Sequence, residues 1–389
     1  MTVQALALLA LAQAPTIAEI PFRIGDDAII VDARVNGKDV SLMFDTGFAG
    51  SFVIGPHISL GKPDGKMGLK DFVGVFEANT IKINTIEFGA LKPPVEDMHV
   101  VQLPTMDYTQ SYGTHVDGIM GLEPLRGYVL EINFEKNKFI VHPDTHDISK
   151  LQPDGQKTFL TRMLPVGHNS IELSVRVKTG KQIILALDTG NAFYATTHKD
   201  VLESVGLWRS GTQPKFMQQS MVASGPVDSW NIVMEDAQIF GIPVAKSVWN
   251  IIDLPASDAQ HQGTVGFGFL KHFNVTLDLK RRRVWFDNFS GRVADDPPAE
   301  VGLAATYHPR EQRMFIVDVT PDSPAERAGI KVGDFLISVG EENLIRSTYR
   351  HVNSLLTGKE GTEVPIAVSS GGVLKRLTLK RELLINVGI

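Results

Sequence analysis

The sequence predicts a mainly β protein: two duplicated lobes followed by a smaller unit of mixed α and β structure. Three observations lead there. The chain can be laid over itself at an offset near 145 residues, the matching stretches read as β-hairpins, and the C-terminal part beyond residue 300 has no counterpart in the repeat.

The repeat opens with a hairpin in each copy. Runs 28–35 and 40–44, like runs 171–177 and 183–187, are apolar and β-branched, and each pair flanks a turn that contains Gly37 or Gly180, 143 positions apart. Both second strands end in one tripeptide, Asp45-Thr46-Gly47 and Asp188-Thr189-Gly190, again 143 apart. Phe88-Gly89 answers Phe240-Gly241 and Leu103-Pro104 answers Leu254-Pro255, at offsets of 152 and 151, so loops differ in length between the copies. Gly118-Ile119-Met120-Gly121 then matches Gly263-Thr264-Val265-Gly266 at 145, and stretches 128–142 and 273–287 both read as strand, charged turn, strand. Lobes over residues 19–146 and 160–288 follow. The run Lys280-Arg281-Arg282-Arg283 occupies the turn equivalent to Glu135-Lys136-Asn137-Lys138, which predicts a solvated hairpin tip rather than a nucleic-acid or lipid contact.

Residues 289–300 are polar and Pro-bearing and read as a linker. In the third unit, 301–386, strands are expected at 314–319, 335–339, 364–368 and 374–379. A short helix at 325–328 follows the Ser323 N-cap and stops at Gly329, and residues 346–356 carry Tyr349, Val352, Leu355 and Leu356 at helical spacing.

Composition narrows the chemistry. The 389 residues are 43% hydrophobic, ample for packed cores, and 38 basic against 44 acidic side chains give a net charge of −6. No basic excess exists for a phosphate backbone or an anionic membrane, so nucleic acid is not an expected partner. With no cysteine there is no thiol nucleophile, disulfide, cysteine-held zinc or iron–sulfur cluster. Residues 1–14 hold a seven-residue apolar run, Ala5 to Leu11, before Ala12-Gln13-Ala14, and read as an export signal to the periplasm or the medium. No other stretch approaches the roughly 20 apolar residues of a membrane-spanning helix, so no integral membrane segment is expected.

One Asp-Thr-Gly means little, since Asp and Gly are common turn residues after strands. Two copies at the ends of equivalent strands mean more, because lobes packed about a pseudo-twofold axis bring equivalent residues together at that axis. Asp45 and Asp188 would then face each other and hold one shared proton. A water between them is activated by the ionised carboxylate, while the protonated one hydrogen-bonds a substrate carbonyl. Thr46 and Thr189 supply hydroxyls to brace each loop against the opposite lobe, and Gly47 and Gly190 let backbone N–H groups approach the carboxylates.

With those residues in view, the sequence resembles aspartic proteases of the pepsin and retropepsin type, over both lobes. The motifs are the paired Asp-Thr-Gly and the hydrophobic-hydrophobic-Gly elements, Ile119-Met120-Gly121 and Thr264-Val265-Gly266. The resemblance implies retropepsin-like β-barrel lobes, Asp45 and Asp188 as the catalytic dyad, and Thr46, Gly47, Thr189 and Gly190 as its support. It also implies a polypeptide substrate in the cleft and no cofactor or metal. Phe48 and Asn191 stand where that family commonly has Ser or Thr, and no Tyr lies between Gly55 and Gly89, where a flap belongs; flap candidates are 65–75 and 224–230.

The third unit resembles a bacterial PDZ domain through the stretch Val317 to Leu336. Such a unit captures a peptide C-terminus in a carboxylate-binding loop, here expected at Gly302-Leu303-Ala304-Ala305, with the next strand near Thr306 adding the peptide beside helix 346–356. His142 and His146 are spaced as a metal pair, but Pro143 argues for a surface turn. The expected protein is thus an exported aspartic endopeptidase whose PDZ unit positions substrates. Its alternative is a peptide-binding protein that uses the same cleft and PDZ groove without cutting.

Overall fold

The structure, a computed structural model, describes residues 15–70, 75–102, 112–165, 170–222, 225–256, 262–308, 311–345, 347 and 349–386. The expected export signal at 1–14, and parts of both flap candidates, 71–74 and 224, lie outside the described residues.

The chain is mainly β, and its ladder repeats step for step. In the first copy, Ile29–Val35 pairs antiparallel with Lys38–Phe44, which runs parallel to Gly118–Met120. That strand is antiparallel to Phe52–Ile54, which is parallel to His99–Gln102; then come Val75–Lys82 and Gly65–Lys70, both antiparallel. The second copy runs Glu172–Arg176, Gln182–Leu187, Gly263–Val265, Ala195–His198, Ile242–Ile252, Gly225–Ile239 and Met217–Val222, with the same sense at each step. Register also repeats, Phe44 opposite Met120 and Leu187 opposite Val265.

Between the copies lies a shared sheet. Ala18–Ile24 pairs with Lys138–His142 and that with Val129–Asn133, while Thr158–Arg162 pairs with Arg283–Asp287 and that with Asn274–Asp278. The two halves join where Leu130 meets Leu277 and Ile132 meets Val275. One hydrophobic core therefore runs through both copies, with Phe134 and Phe267 packed edge to face at 5.7 Å.

Glycines sit where strands cross. A Cβ on Gly118 would lie 2.0 Å from the Val53 carbonyl oxygen, and one on its counterpart Gly263 would lie 2.2 Å from that of Thr196. Only a hydrogen side chain allows the crossing in either copy.

The basic turn 280–283 is not merely solvated, as the sequence had suggested. Lys280 pairs with Asp144 at 2.6 Å, and Arg281 with Asp278 at 3.0 Å and Asp147 at 3.5 Å, so the tip is clasped to the first copy's last turn. Residues 289–300 are also held down rather than loose. Tyr194 donates its hydroxyl to Val293 O at 2.8 Å, Lys271 pairs with Asp295 at 2.6 Å, and Ala299 and Glu300 already bridge to Gly358 and Glu382.

The third unit is a sheet ordered Leu303–His308, Arg313–Val319, Phe335–Val339, Glu363–Ser370, Val373–Lys380, with a separate core and helices Pro324–Arg327 and Tyr349–Leu356. Ser323 caps the first helix by accepting from Glu326 N–H. The expected carboxylate loop is corrected in part: strand begins at Leu303, not near Thr306, because Leu303 and Ala305 bury their side chains while their backbones pair with Val319 and Ile316. Only Gly302, at φ +77°, keeps a turn conformation.

Both ends of this unit are fastened to the root of the hairpin Met217–Val222 and Gly225–Ile239. Gln218 donates to Glu300 at 3.3 Å, and Asn386 accepts from Lys215 N–H at 2.6 Å and bonds through its backbone N–H to Asn231 O at 2.9 Å. No helix among the described residues is long and apolar enough to cross a membrane.

Candidate functional site

The two Asp-Thr-Gly loops meet where the copies face each other. Strand Lys38–Phe44 delivers Asp45 and Gln182–Leu187 delivers Asp188, and each loop is tied to its crossing strand, Asp45 N–H to Met120 O at 2.8 Å and Asp188 N–H to Val265 O at 3.0 Å. The threonines, both fully buried, interlock. Thr46 Oγ1 donates to Leu187 O at 2.8 Å and accepts from Thr189 N–H at 3.0 Å; Thr189 Oγ1 donates to Phe44 O at 2.7 Å and accepts from Thr46 N–H at 3.0 Å. Each loop thus closes the hydrogen bonds of the other.

This grip presses the carboxyls together. Asp45 and Asp188 lie within hydrogen-bonding reach, and a Cβ on Gly190 would stand 2.6 Å from Asp45 Cγ while one on Gly47 would stand 2.8 Å from Asp188 Cγ. The environments differ: Asp45 Oδ1 accepts from Gly47 N–H at 2.8 Å and Phe48 N–H at 3.1 Å, Asp188 Oδ1 from Gly190 N–H at 2.9 Å. Burial, and after it the neighbouring Asp188 carboxyl, push Asp45 well above the usual carboxylate range despite those two N–H donors. The arrangement can hold one proton between two carboxyls, with a donor and an acceptor facing the cleft.

A carboxyl raised by folding binds its proton more tightly folded than unfolded. It therefore favours the folded chain below its unfolded pKa and loses that advantage as pH climbs through the folded value. Asp45→Asn removes the titration, so in parallel thermal melts its melting temperature should rise relative to wild type as pH goes from about 4 to neutral. A difference independent of pH would mean that Asp45 titrates normally.

All six residues expected around this centre are brought together; the four expected at the PDZ loop lie apart from it, on their own sheet edge. Asn191 stands where the resemblance led to the expectation of Ser or Thr, and it is not idle. Its Nδ2 donates to Thr264 Oγ1 at 2.7 Å and Thr196 Oγ1 at 3.1 Å, joining the loop to both neighbouring strands. Tyr112 was missed. Burial first and the Asp45 charge second raise its phenol above the usual range, so it stands within electrostatic reach of the pair although it comes far after the expected flap. No spacing rule links residue 112 to residue 45. The hairpins Gly65–Lys70 with Val75–Lys82 and Met217–Val222 with Gly225–Ile239 carry the two flap candidates.

His142 and His146 do adjoin, with ring centroids 4.6 Å apart, but His142 Nδ1 lies 3.0 Å from Pro15 O and its Nε2 3.6 Å from Glu131. Those contacts make the pair part of a structural turn. A different cluster, which the sequence reading did not single out, converges on Asp117: His57 Nε2 and His115 Nε2 stand 2.9 and 2.8 Å from its Oδ1.

Residues 315–369 match the family model described as PDZ domain, so the third unit contains a PDZ domain. Curated relatives include the "Probable CtpA-like serine protease" of Staphylococcus haemolyticus, 32% identical over 81 residues, 21% of this chain and 16% of that protein. The protein of that name from Staphylococcus aureus strain COL is 32% identical over 82 residues, again 21% of this chain and 16% of the relative. The match thus spans about one sixth of the length of these relatives. Among solved structures, an aspartic proteinase from Irpex lacteus aligns over 72% of this chain and 99% of its own at 13% identity and a TM-score of 0.44. The photosystem II D1 C-terminal processing protease aligns over 24% of this chain and 25% of its own at 23% identity and a TM-score of 0.22.

The names of the curated relatives correct the expected activity. They are serine proteases, a different mechanism from the aspartyl, retropepsin-like endopeptidase the sequence had suggested, and that assignment is not retained. A serine mechanism needs a hydroxyl aimed at an oriented base. Among the described residues a serine hydroxyl meets a histidine at Ser290, 3.4 Å from His272 Nδ1, with Asp295 3.7 Å from His272 Nε2. That hydroxyl already lies 3.2 Å from Asn288 Oδ1 and accepts from Arg292 N–H at 3.1 Å, the bonding of a turn cap.

Proposed function

We propose that this protein engages polypeptide in extended form at two places, across the Asp45–Asp188 pair and along the edge strand of its PDZ domain, as a member of the broad protease class. The observation that carries the reading is the doubled loop, in which two interlocked threonines hold two carboxyls in contact at the meeting of two like-ordered sheets. In this reading the sheets are retropepsin-like lobes, 19–146 and 160–288, related by a pseudo-twofold axis, and the hairpins on either side supply backbone to an extended chain. A proton shared by Asp45 and Asp188 offers a donor to a peptide carbonyl, and the ionised oxygen an acceptor to a peptide N–H. At the PDZ domain, Leu303–His308 has one edge with no strand partner among the described residues, beside helix Tyr349–Leu356, and the turn at Gly302 stands at the head of that edge to receive a terminal carboxylate.

The test measures retention and mass of an unstructured protein incubated with the full chain from about pH 3 to 8, where carboxyl pairs and histidines change charge. Asp45→Asn, Asp188→Asn and Ser290→Ala are run beside wild type, with and without a serine-reactive fluorophosphonate. Each Asp variant should lose engagement at least about tenfold, and Ser290→Ala should lose none. Full engagement by both Asp variants would sink the proposed centre. Labelling of a serine by the fluorophosphonate, with loss of turnover, would move the acting group to that serine.

A further inference from the structure

We propose that His57, His115 and Asp117 form a binding site for a divalent transition-metal ion, with zinc(II) the best chemical match. Their ligating atoms, one from each residue, all lie within 4.8 Å of one another. Two imidazole nitrogens and one carboxylate oxygen suit zinc, copper or nickel rather than calcium or magnesium, which take oxygen shells. A tetrahedral ion with bonds near 2.0–2.2 Å holds its ligands about 3.3–3.6 Å apart. The present separations of 2.9 and 2.8 Å from Asp117 Oδ1 to the two Nε2 atoms need to open by about 0.4–0.8 Å, a shift the two exposed rings can make.

The surroundings fix the ligands as a metal site requires. Asp117 is anchored on three sides: its Oδ2 accepts from Ser41 N–H at 2.8 Å, its N–H donates to Ser41 O at 2.7 Å, and its carbonyl accepts from Gly55 N–H at 2.9 Å. Its side chain is 7% exposed, and its second oxygen, Oδ1, is the one turned to the histidines. This is an oriented carboxylate of the kind that tunes metal ligands. His57 is the third residue of a turn, Gly55-Pro56-His57-Ile58, closed by Ile58 N–H to Gly55 O at 3.2 Å, with Pro56 fixing the backbone at the second position. Its ring lies over Gly55, where a Cβ would come within 2.6 Å of it, so glycine makes room for the ring.

His57 and His115 side chains are 47% and 62% exposed, which leaves an entry path and a fourth position for water. On binding, the ion replaces the two Nε2–H···O contacts to Asp117 Oδ1: the Nε2 proton of each ring is released to solvent or moves to Nδ1, leaving a neutral imidazole with its one proton on Nδ1 and its Nε2 lone pair on the ion. An ion there would staple the turn after Phe52–Ile54 to the chain entering Gly118–Met120, the two strands that pair beside the Asp45 loop. His142 lacks this convergence, its two nitrogens being taken up by Pro15 and Glu131.

The experiment uses the full chain without a histidine tag and zinc chloride as probe, with calorimetry for affinity and metal analysis after dialysis for stoichiometry. Wild type should hold one zinc per chain. His57→Ala and His115→Ala should each weaken binding at least about tenfold, and the double variant should lose the site, while His142→Ala should change nothing. Cobalt(II) in place of zinc should give tetrahedral visible bands that vanish in the double variant. Equal zinc affinity in the double variant, or no zinc held by wild type at concentrations on the order of 0.1 mM, would overturn the proposal. The exposed histidines can be replaced without emptying the core, so a folded double variant is expected, and its far-ultraviolet spectrum and melting temperature check this.

Discussion

Gly118→Ala is expected to destabilise the protein by more than about 4 kcal/mol and to leave little folded material at growth temperature. The added Cβ would stand 2.0 Å from Val53 O and 2.9 Å from Ile54 Cα, both backbone atoms, so no rotamer change relieves it. Strands Phe52–Ile54 and Gly118–Met120 would have to part, and Met120 O is the acceptor that holds Asp45 N–H. Gly37→Ala is the matched control. It forces an alanine to φ +76° at a tip with nothing within 4 Å of the new atom, which should cost about 1–2 kcal/mol. Chemical denaturation of the two variants should separate them clearly; similar midpoints would mean that the crossing has slack.

Thr46→Val and Thr189→Val are expected to cost about 2–5 kcal/mol each, a large effect for removing one oxygen. Valine keeps the shape but abandons a donor and an acceptor at once: Thr46→Val leaves Leu187 O and Thr189 N–H without partners, both inside the fully buried grip. The pair Thr46→Val with Thr189→Val should cost clearly less than the sum, because each single change already loosens the loop that the other hydroxyl braces. Additive losses would show two independent caps instead of one interlocked unit. Asp45 should respond as well, its pH signature in thermal melts weakening once the loops can draw apart.

The legible parts of this molecule were those a single chain writes twice or writes locally. The 143-residue spacing of the Asp-Thr-Gly loops and the 145-residue spacing of Gly118 and Gly263 anticipate the doubled ladder. The cap at Ser323 and the strand Phe335–Val339 were visible from neighbouring residues alone. What stayed hidden depends on partners far along the chain. Tyr112 feels the charge of Asp45 and Asn386 meets Lys215, Phe216 and Asn231, with no periodicity or motif to announce either. His57 and Asp117 are 60 positions apart, and although His115 stands two residues before Asp117, a lone His-x-Asp is too common to announce a site. The early start of the strand at Leu303 was masked by composition, since Leu-Ala-Ala has no turn residue to mark a boundary and no β-branched residue to mark a strand. The activity itself was the largest revision, because a resemblance carried by short motifs gave way to relatives named for another mechanism.

The fastening of the PDZ domain at both of its ends gives the molecule a measure of length. A module on a slack tether samples many distances, and a chain caught on it would meet the rest of the protein at scattered points. Here Glu300 on the way in and Asn386 on the way out are fixed to one hairpin root, so the module is a mount with a set position. On the function proposed above, a polypeptide held there by its end would have its distance to the carboxyl pair set as a number of residues, each extended residue covering about 3.3 Å. Chains too short to span the gap would be passed over, and longer ones would be met at a fixed count from their terminus.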